Sequence, residues 1–564
     1  MRMNGSPALA RSLVRPLLAL LALAPLATAQ GSDAFQKALE RYKETIQRLP
    51  LQHHTEGREK LAKTRNPEAF AILAKDYVET KDPGRFPEYA RYMLATLLGR
   101  NFDRAEFVEP FKALRSANRK PVDTWLWVQA LKVQADRGDA AEVLAIATGE
   151  KNALLRAAAI AGLGATRNPD LKAFIVPNCT AFPKKDEERM AILGAMSGAL
   201  FANKDRVNDA TYREALTAYI GLLADEVGLS HTAKVQVARH LQGILKSNQL
   251  YVNPDAWLEL LSRGEVKRGT TSPSSAAPRF FGIETDGERL CYVVDMSDSM
   301  CKKIEPSAKP AGPLSGPKEK KKKGAILDES DIPWHRIDTR WDLARENLRV
   351  SLSRLTPDKQ FCIVWFGSAA GTLDSCPGMI KATRANIDKV MDELDAIELG
   401  APDTRTSLDG KLRGETNMHA GLKLAFALTS RGFAQTEAYV NADALTEGCD
   451  TILMLSDGTP SVDDFTVTDK DYGEGDVVVD QEYKVKAERT ANLNYPGPFI
   501  FSGDPNCPWI VDDVRRMNAF RRIRIHCVGL GEANMTLLKE LATIGQGQSF
   551  AVGQKRADPP AGGK

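Results

Sequence analysis

Around Gly264 the hydrophobic pattern changes its period, and that change limits what the whole chain can fold into. From about residue 34 to 264, apolar residues recur at intervals of three and four. Ala34, Phe35, Ala38, Leu39, Tyr42, Ile46 and Leu49 begin the pattern, which is the spacing of an amphipathic helix. Similar runs follow at Glu68–Val78, Pro87–Leu98, Arg104–Leu114, Asp123–Ala135, Ala140–Ala147 and Ala153–Leu163, then at Leu171–Val176, Glu187–Phe201, Thr211–Leu223, Thr232–Leu245 and Asp255–Leu261. Gly264–Pro278 (GEVKRGTTSPSSAAP) has the composition of a linker. Beyond it, short apolar runs at Leu290–Val294, Gln360–Phe366, Thr451–Leu455 and Ile523–Val528 alternate with helical patterns. Those patterns lie at Trp341–Leu355, Ile387–Leu399, Met418–Leu428, Trp509–Phe520 and Met535–Ile544. Strands alternating with helices specify a mostly parallel, Rossmann-like α/β sheet. The expected organisation is therefore multidomain: an all-α region over 30–264, a linker over 265–284, an α/β region over 285–555 and a flexible tail over 556–564.

The helical half carries one internal echo. Thr64-Arg65-Asn66-Pro67-Glu68 returns as Thr166-Arg167-Asn168-Pro169-Asp170. In both copies Asn is expected to cap a helix, Pro to sit in its first turn, and the acid to meet the positive end of the dipole. The spacing is a multiple of a 34-residue period, so this half resembles a HEAT- or TPR-type solenoid of helical hairpins. The small residues of Ala153–Gly164 (ALLRAAAIAGLG) bring it nearer to HEAT. Such a surface usually binds proteins.

Residues 1–29 read as an export signal: Arg2, Arg11 and Arg15, then the apolar run Leu17–Leu26, then the small residues Ala27-Thr28-Ala29. That run is too short to span a bilayer, and no later stretch reaches the necessary length. The signal holds three of the 76 basic residues and none of the 73 acidic ones, so the rest of the chain is formally neutral. Nucleic acid is not an expected partner. An exported, secreted or periplasmic location permits disulfides among the eight cysteines, whose pairing the sequence leaves open.

The chemistry lies at strand ends. Leu290–Val294 stops at Asp295-Met296-Ser297-Asp298-Ser299, whose alternating Asp295, Ser297 and Ser299 can converge on one point. Hydroxyls and carboxylates are hard ligands, suited to Mg²⁺, Mn²⁺ or Ca²⁺. Gly414-Glu415-Thr416-Asn417-Met418 places Thr416 at a helix entrance, and Ser456-Asp457-Gly458 places Asp457 at the end of a second strand. Two carboxylates and three hydroxyls, completed by water, form a plausible Mg²⁺ site.

In this order these motifs resemble the metal-ion-dependent adhesion site of the von Willebrand factor A domain. The resemblance extends over about 285–555 and includes Ile523–Leu530 and Leu537–Val552. It implies Mg²⁺ held by Ser297, Ser299 and Thr416 directly, with Asp295 and Asp457 often acting through water and a partner's carboxylate closing the shell. Where the family often has glycine this chain has Asp298, a residue that tolerates a left-handed turn. Insertions over 302–335 and 459–505 sprout from the same rim. The first carries Lys318-Glu319-Lys320-Lys321-Lys322-Lys323; the second carries Asp463, Asp464, Asp469, Asp471, Glu474, Asp476 and Asp480. The expectation is that the two attract each other over the site.

Other signals carry less. Gly529-Leu530-Gly531 lacks the third glycine of a dinucleotide fingerprint and reads as a turn. Ser297 and Ser299 sit in no nucleophile motif. His419 reads as a helix-surface histidine, and Trp125, Trp127, Trp257 and Trp341 as packing residues. The function expected is cation-dependent binding of a protein through an acidic side chain, without catalysis. The alternative is a scaffold that binds partners through its helical repeat, with the α/β domain as a docking module.

Overall fold

The computed structural model describes residues 29–47, 51–79, 87–247, 249–263, 278–309, 325–399, 411–434, 437–469, 477–479, 486–488, 493–500 and 506–553. The expected export signal up to residue 28, most of the expected linker, the lysine run Lys318–Lys323, the acids Asp471, Glu474, Asp476 and Asp480, and the expected tail from residue 556 lie outside the described residues. The expected attraction between the lysine run and the acidic loop falls there too.

Among the described residues, thirteen α-helices lie between Ala29 and Arg263. Nine of them form two layers, each helix packing on the helix two places along the chain. Pro87–Asn101, Thr124–Arg137, Ala153–Gly164, Asp186–Ala202 and His231–Leu245 make one layer. Ala140–Gly149, Leu171–Thr180, Ala210–Gly221 and Pro254–Arg263 make the other. Small residues set the spacing: a Cβ on Gly164 would fall 2.3 Å from the Cβ of Ala199, so the two helices touch backbone to backbone. Trp125, Trp127, Trp257 and Trp341 are all buried.

Two expectations fail here. The helix Gln52–Lys63 was not expected, since its sequence QHHTEGREKLAK is mostly polar and shows no apolar period. It is held by buried polar pairing instead: Arg58 Nε donates to Asp76 Oδ2 at 2.8 Å. The internal echo is also not structurally equivalent. Asn66 does cap Pro67–Glu79, accepting from the Glu68 amide at 2.7 Å. In the second copy the helix begins at Leu171, and Asp170 is the cap while Asn168 adopts a left-handed φ of 52°.

The second half contains a seven-stranded sheet. Its strands are β1 (Arg289–Asp295), β2 (Gln360–Phe366), β3 (Ala370–Thr372), β4 (Ile380–Lys381), β5 (Thr451–Ser456), β6 (Arg524–Leu530) and β7 (Ser549–Val552). The order is β7-β6-β5-β1-β2-β3, with β4 also on β2. The pairs from β7 to β2 are parallel, and β3 and β4 run antiparallel to β2. The central strands are buried throughout, which is why they read as continuous apolar runs rather than alternating ones. Chain order reverses between β1 and β5, and such a switch point opens a crevice beyond the carboxyl ends of the strands.

The end of the expected linker belongs to this domain. Arg279–Phe280 and Ile283–Glu284 form a hairpin whose turn residues Phe281 and Gly282 have φ of 49° and 76°, the double positive φ of a tight hairpin turn. Phe280 is buried edge-on to Tyr292 of β1.

The two halves are joined along the first helical layer. A Cβ on Gly194 would lie 1.9 Å from the carbonyl oxygen of Phe520, so only glycine permits this approach. The Trp125 amide donates to the Tyr439 hydroxyl at 3.2 Å, and Trp509 Nε1 donates to Glu59 Oε1 at 2.7 Å. The Arg516 guanidinium lies 3.4 Å from the ring centroid of Tyr92. No helix among the described residues is long and apolar enough to cross a membrane.

Candidate metal centre

Asp295 ends β1 and Asp457 follows β5. Val294 is in register with Leu455, so the two strand ends stand side by side at the switch point. The chain turns out of β1 because Asp295 Oδ1 accepts both the amide and the hydroxyl of Ser297, at 3.0 and 2.6 Å. This is the local side-chain-to-backbone bonding that favours Asp in turns. Ser456 donates to the other oxygen, Oδ2, at 2.8 Å.

All five residues picked from the sequence come together. Ser297 Oγ and Ser299 Oγ are 3.1 Å apart, and Ser299 Oγ donates to Asp457 Oδ1 at 2.6 Å. Thr416 Oγ1 and Ser299 Oγ lie 3.6 and 3.9 Å from where a Cβ on Gly458 would stand. Asp295, Ser297, Thr416 and Asp457 are buried, and Ser299 is partly exposed. Burial pushes the Asp295 carboxyl up to about 7, with the negative charge of Asp457 adding to it; the Ser297 and Ser456 bonds oppose the rise. A pocket that strains against its own negative charge is one that a cation would relieve.

The threonine loop is fastened from two sides. Asp298 Oδ1 accepts the Gly414 amide at 2.6 Å, and the Asp298 amide donates back to the Gly414 carbonyl at 3.1 Å. Asp298 opens a 3₁₀ turn and has no left-handed φ, so the expectation of a left-handed turn is corrected: it acts as a staple between loops. On the far side Ser461 Oγ accepts the Thr416 amide at 3.0 Å, and Asn417 Nδ2 donates to Asp464 at 3.1 Å.

Both insertions are closed at their roots. Ile304 N donates to Asp338 O at 2.9 Å and Arg340 N to Lys302 O at 3.0 Å, pinning the first. Asp463 pins the second, accepting the Phe465 and Phe499 amides at 2.9 Å each. Asp463 is therefore a buried anchor, not part of an open acidic surface.

One residue at the centre was not anticipated. Arg340 Nη1 donates to Asp457 Oδ2 at 2.6 Å, with the guanidinium 4% exposed and Asp457 fully enclosed. Glu305 and Glu532 flank it at 3.9 and 3.8 Å. Gly531 leaves the space: it has φ of 50°, and a Cβ there would reach within 2.4 Å of the guanidinium. The signal in the sequence was positional. Arg340 is the first residue of a helix, where a cation opposes the dipole.

His419 is also not where it was expected. It is buried, Nε2 lies 2.9 Å from Asp513 Oδ2, and its ring stacks on Phe499 at 3.8 Å. The eight cysteines are free thiols. No group of three or more His, Cys, Asp or Glu side chains suited to a metal occurs among the described residues; the cluster here has two carboxylates, and its other donors are hydroxyls. Comparison of the sequence with protein-family models and with curated proteins gave no match.

Proposed function

We propose that the protein binds a divalent cation, Mg²⁺ by preference with Mn²⁺ or Ca²⁺ as substitutes, through Asp295, Ser297, Ser299, Thr416 and Asp457. The bound cation then captures an acidic side chain of a protein partner. The observation that carries this reading is the convergence of five oxygen-bearing side chains at the switch point, with the Asp295 carboxyl raised by burial and by the nearby Asp457. The all-oxygen donor set fits a hard cation and does not fit zinc. A bound cation would supply positive charge and an open coordination position. The residues would orient it, and it would compete with Arg340 for the carboxylate of Asp457.

In this reading the α/β half is a von Willebrand factor A-like domain and the helical half a HEAT-like repeat, in an exported protein that is not an enzyme. The second-neighbour packing of the helices favours the repeat. The scaffold alternative is weakened by the junction: the helical layer that includes Gly194 is already committed to the chain's own α/β domain. A scaffold would have to use the outer layer.

The test is affinity capture from a native extract with full-length protein in Mg²⁺ or in EDTA, alongside Asp295→Ala. Capture lost in EDTA and in the variant supports adhesion. Capture that survives both favours the scaffold.

A further inference from the structure

At the opposite end of the sheet from Asp295, a cleft opens between the helical layer and the amino ends of the strands. Its volume is about 550 Å³ with its mouth, of which about 30 Å³ admits the centre of a water molecule. Five arginines line it: Arg239 from the helix His231–Leu245, Arg289 at the start of β1, and Arg521, Arg522 and Arg524 leading into β6.

The charges do not balance. Asp450 lies 2.5 Å from Arg239 Nη1, and Asp286 lies 3.5 Å from Arg239 Nε and 3.3 Å from Arg524 Nη1. Those two carboxylates are the ion-pair partners of the set among the described residues. Arg521 bonds to the carbonyls of Phe426 and Cys449 at 2.7 and 3.1 Å, and Arg289 to that of Thr446. Arg522 has no carboxylate partner there; it stacks on the Phe201 ring at 5.7 Å. The Nε atoms of Arg289 and Arg522 and Nε2 of His240, which is 4% exposed, are buried without hydrogen-bond partners. Burial pushes the Arg521, Arg522 and Arg524 guanidiniums down to about 10, which is the cost of holding these cations out of water.

Locking the two halves together explains Arg239, which pairs with Asp450, and Arg524, which pairs with Asp286 and donates to Gln242 Oε1 at 2.7 Å. It does not explain Arg289, Arg521 and Arg522, which have no carboxylate partner among the described residues. A buried cation without a counter-ion is costly, and guanidinium forks match tetrahedral oxyanions. We infer that this cleft is a binding site for one tetrahedral oxyanion, a phosphate or sulfate group, held by Arg289, Arg521 and Arg522 where the two halves of the protein meet. The narrow interior admits a single such group, so anything larger would leave its remainder at the mouth.

The experiment is calorimetric titration of the full-length protein, in phosphate-free buffer at constant ionic strength, with inorganic phosphate, sulfate, glycerol phosphate or chloride. Thermal melting is followed in parallel. The expected result is saturable one-site binding of phosphate or sulfate, a melting temperature raised over that in chloride, and affinity at least tenfold weaker in Arg522→Gln and Arg289→Gln. Glycerol phosphate binding as well as phosphate identifies a phosphoryl group of a larger molecule as a ligand; weaker binding identifies the free ion. Phosphate and sulfate that behave like chloride in the wild type overturn the site, whatever the variants do. Unchanged affinity in both variants overturns it equally. The metal reading does not depend on this result.

Discussion

The guanidinium of Arg340 lies 2.6 Å from a carboxylate oxygen of Asp457, both buried, at the point where a cation would be held. The protein thus carries its own positive charge against one of its two site carboxylates. Breaking a buried ion pair from one side costs about 3–5 kcal/mol. Arg340→Gln should therefore lower the melting temperature of the metal-free protein. It should also tighten Mg²⁺ binding about tenfold, roughly 1.4 kcal/mol, because a competing cation is gone. Melting scans with and without Mg²⁺ check both, and Mg²⁺ should restore more stability to the variant than to the wild type. Weaker binding in the variant would mean that Arg340 instead positions Asp457.

Asp298 should matter through the threonine loop. Its carboxylate holds the Gly414 amide at 2.6 Å from an exposed position. Asp298→Ala should weaken divalent binding about three- to tenfold, or roughly 1 kcal/mol, with little change in melting temperature. Asp298→Asn, which keeps the acceptor, should bind like the wild type. Equal loss in the two variants would point to charge rather than loop anchoring.

Gly194 tests whether the two halves behave as one body. Alanine normally improves a helix interior by about 1 kcal/mol over glycine. Here the added carbon would meet the Phe520 carbonyl at 1.9 Å, and overpacking costs about 1–3 kcal/mol. Gly194→Ala should lower the melting temperature and increase proteolysis at the junction. A more stable variant would mean that the contact does not hold the halves together.

Two histidines predict acid sensitivity. Burial, with the positive charge of Arg522 behind it, holds His240 well below 6.5; burial with Arg524 brings His526 to about 3. Both are neutral in the fold, while the unfolded chain takes up protons below about pH 6.5. Their contribution is full above that pH and is lost as pH falls toward the folded values. By pH 5 each costs about 2 kcal/mol. Denaturant midpoints measured from pH 8 to pH 5 should fall, and His526→Gln should flatten the slope.

The legible parts were those that a local pattern controls. Thr451–Leu455 and Gln360–Phe366 announced themselves because strands buried on both faces are continuously apolar, and Asp295 and Asp457 stood out as oxygen donors at their ends. Residues whose role depends on distant partners were not legible. Arg340 reaches Asp457 across 117 positions, and the helix at Gln52 is held by a buried Arg58–Asp76 pair that hydrophobic period does not report. His419 was misplaced for the same reason: its partner Asp513 is 94 residues away. The repeated Asn-Pro segment misled in the opposite direction, since equal local sequence reached different helix starts at Pro67 and Leu171.

The central claim is that Asp295 and its four companions hold one divalent cation, and a calorimetric titration of Mg²⁺ into EDTA-stripped full-length protein tests it most directly. The account predicts saturable binding with a stoichiometry of one in the wild type and no measurable binding in Asp295→Ala at the same protein concentration, with the variant still folded by circular dichroism. An absence of Mg²⁺, Mn²⁺ and Ca²⁺ binding in the wild type, or wild-type affinity in the variant, would contradict it.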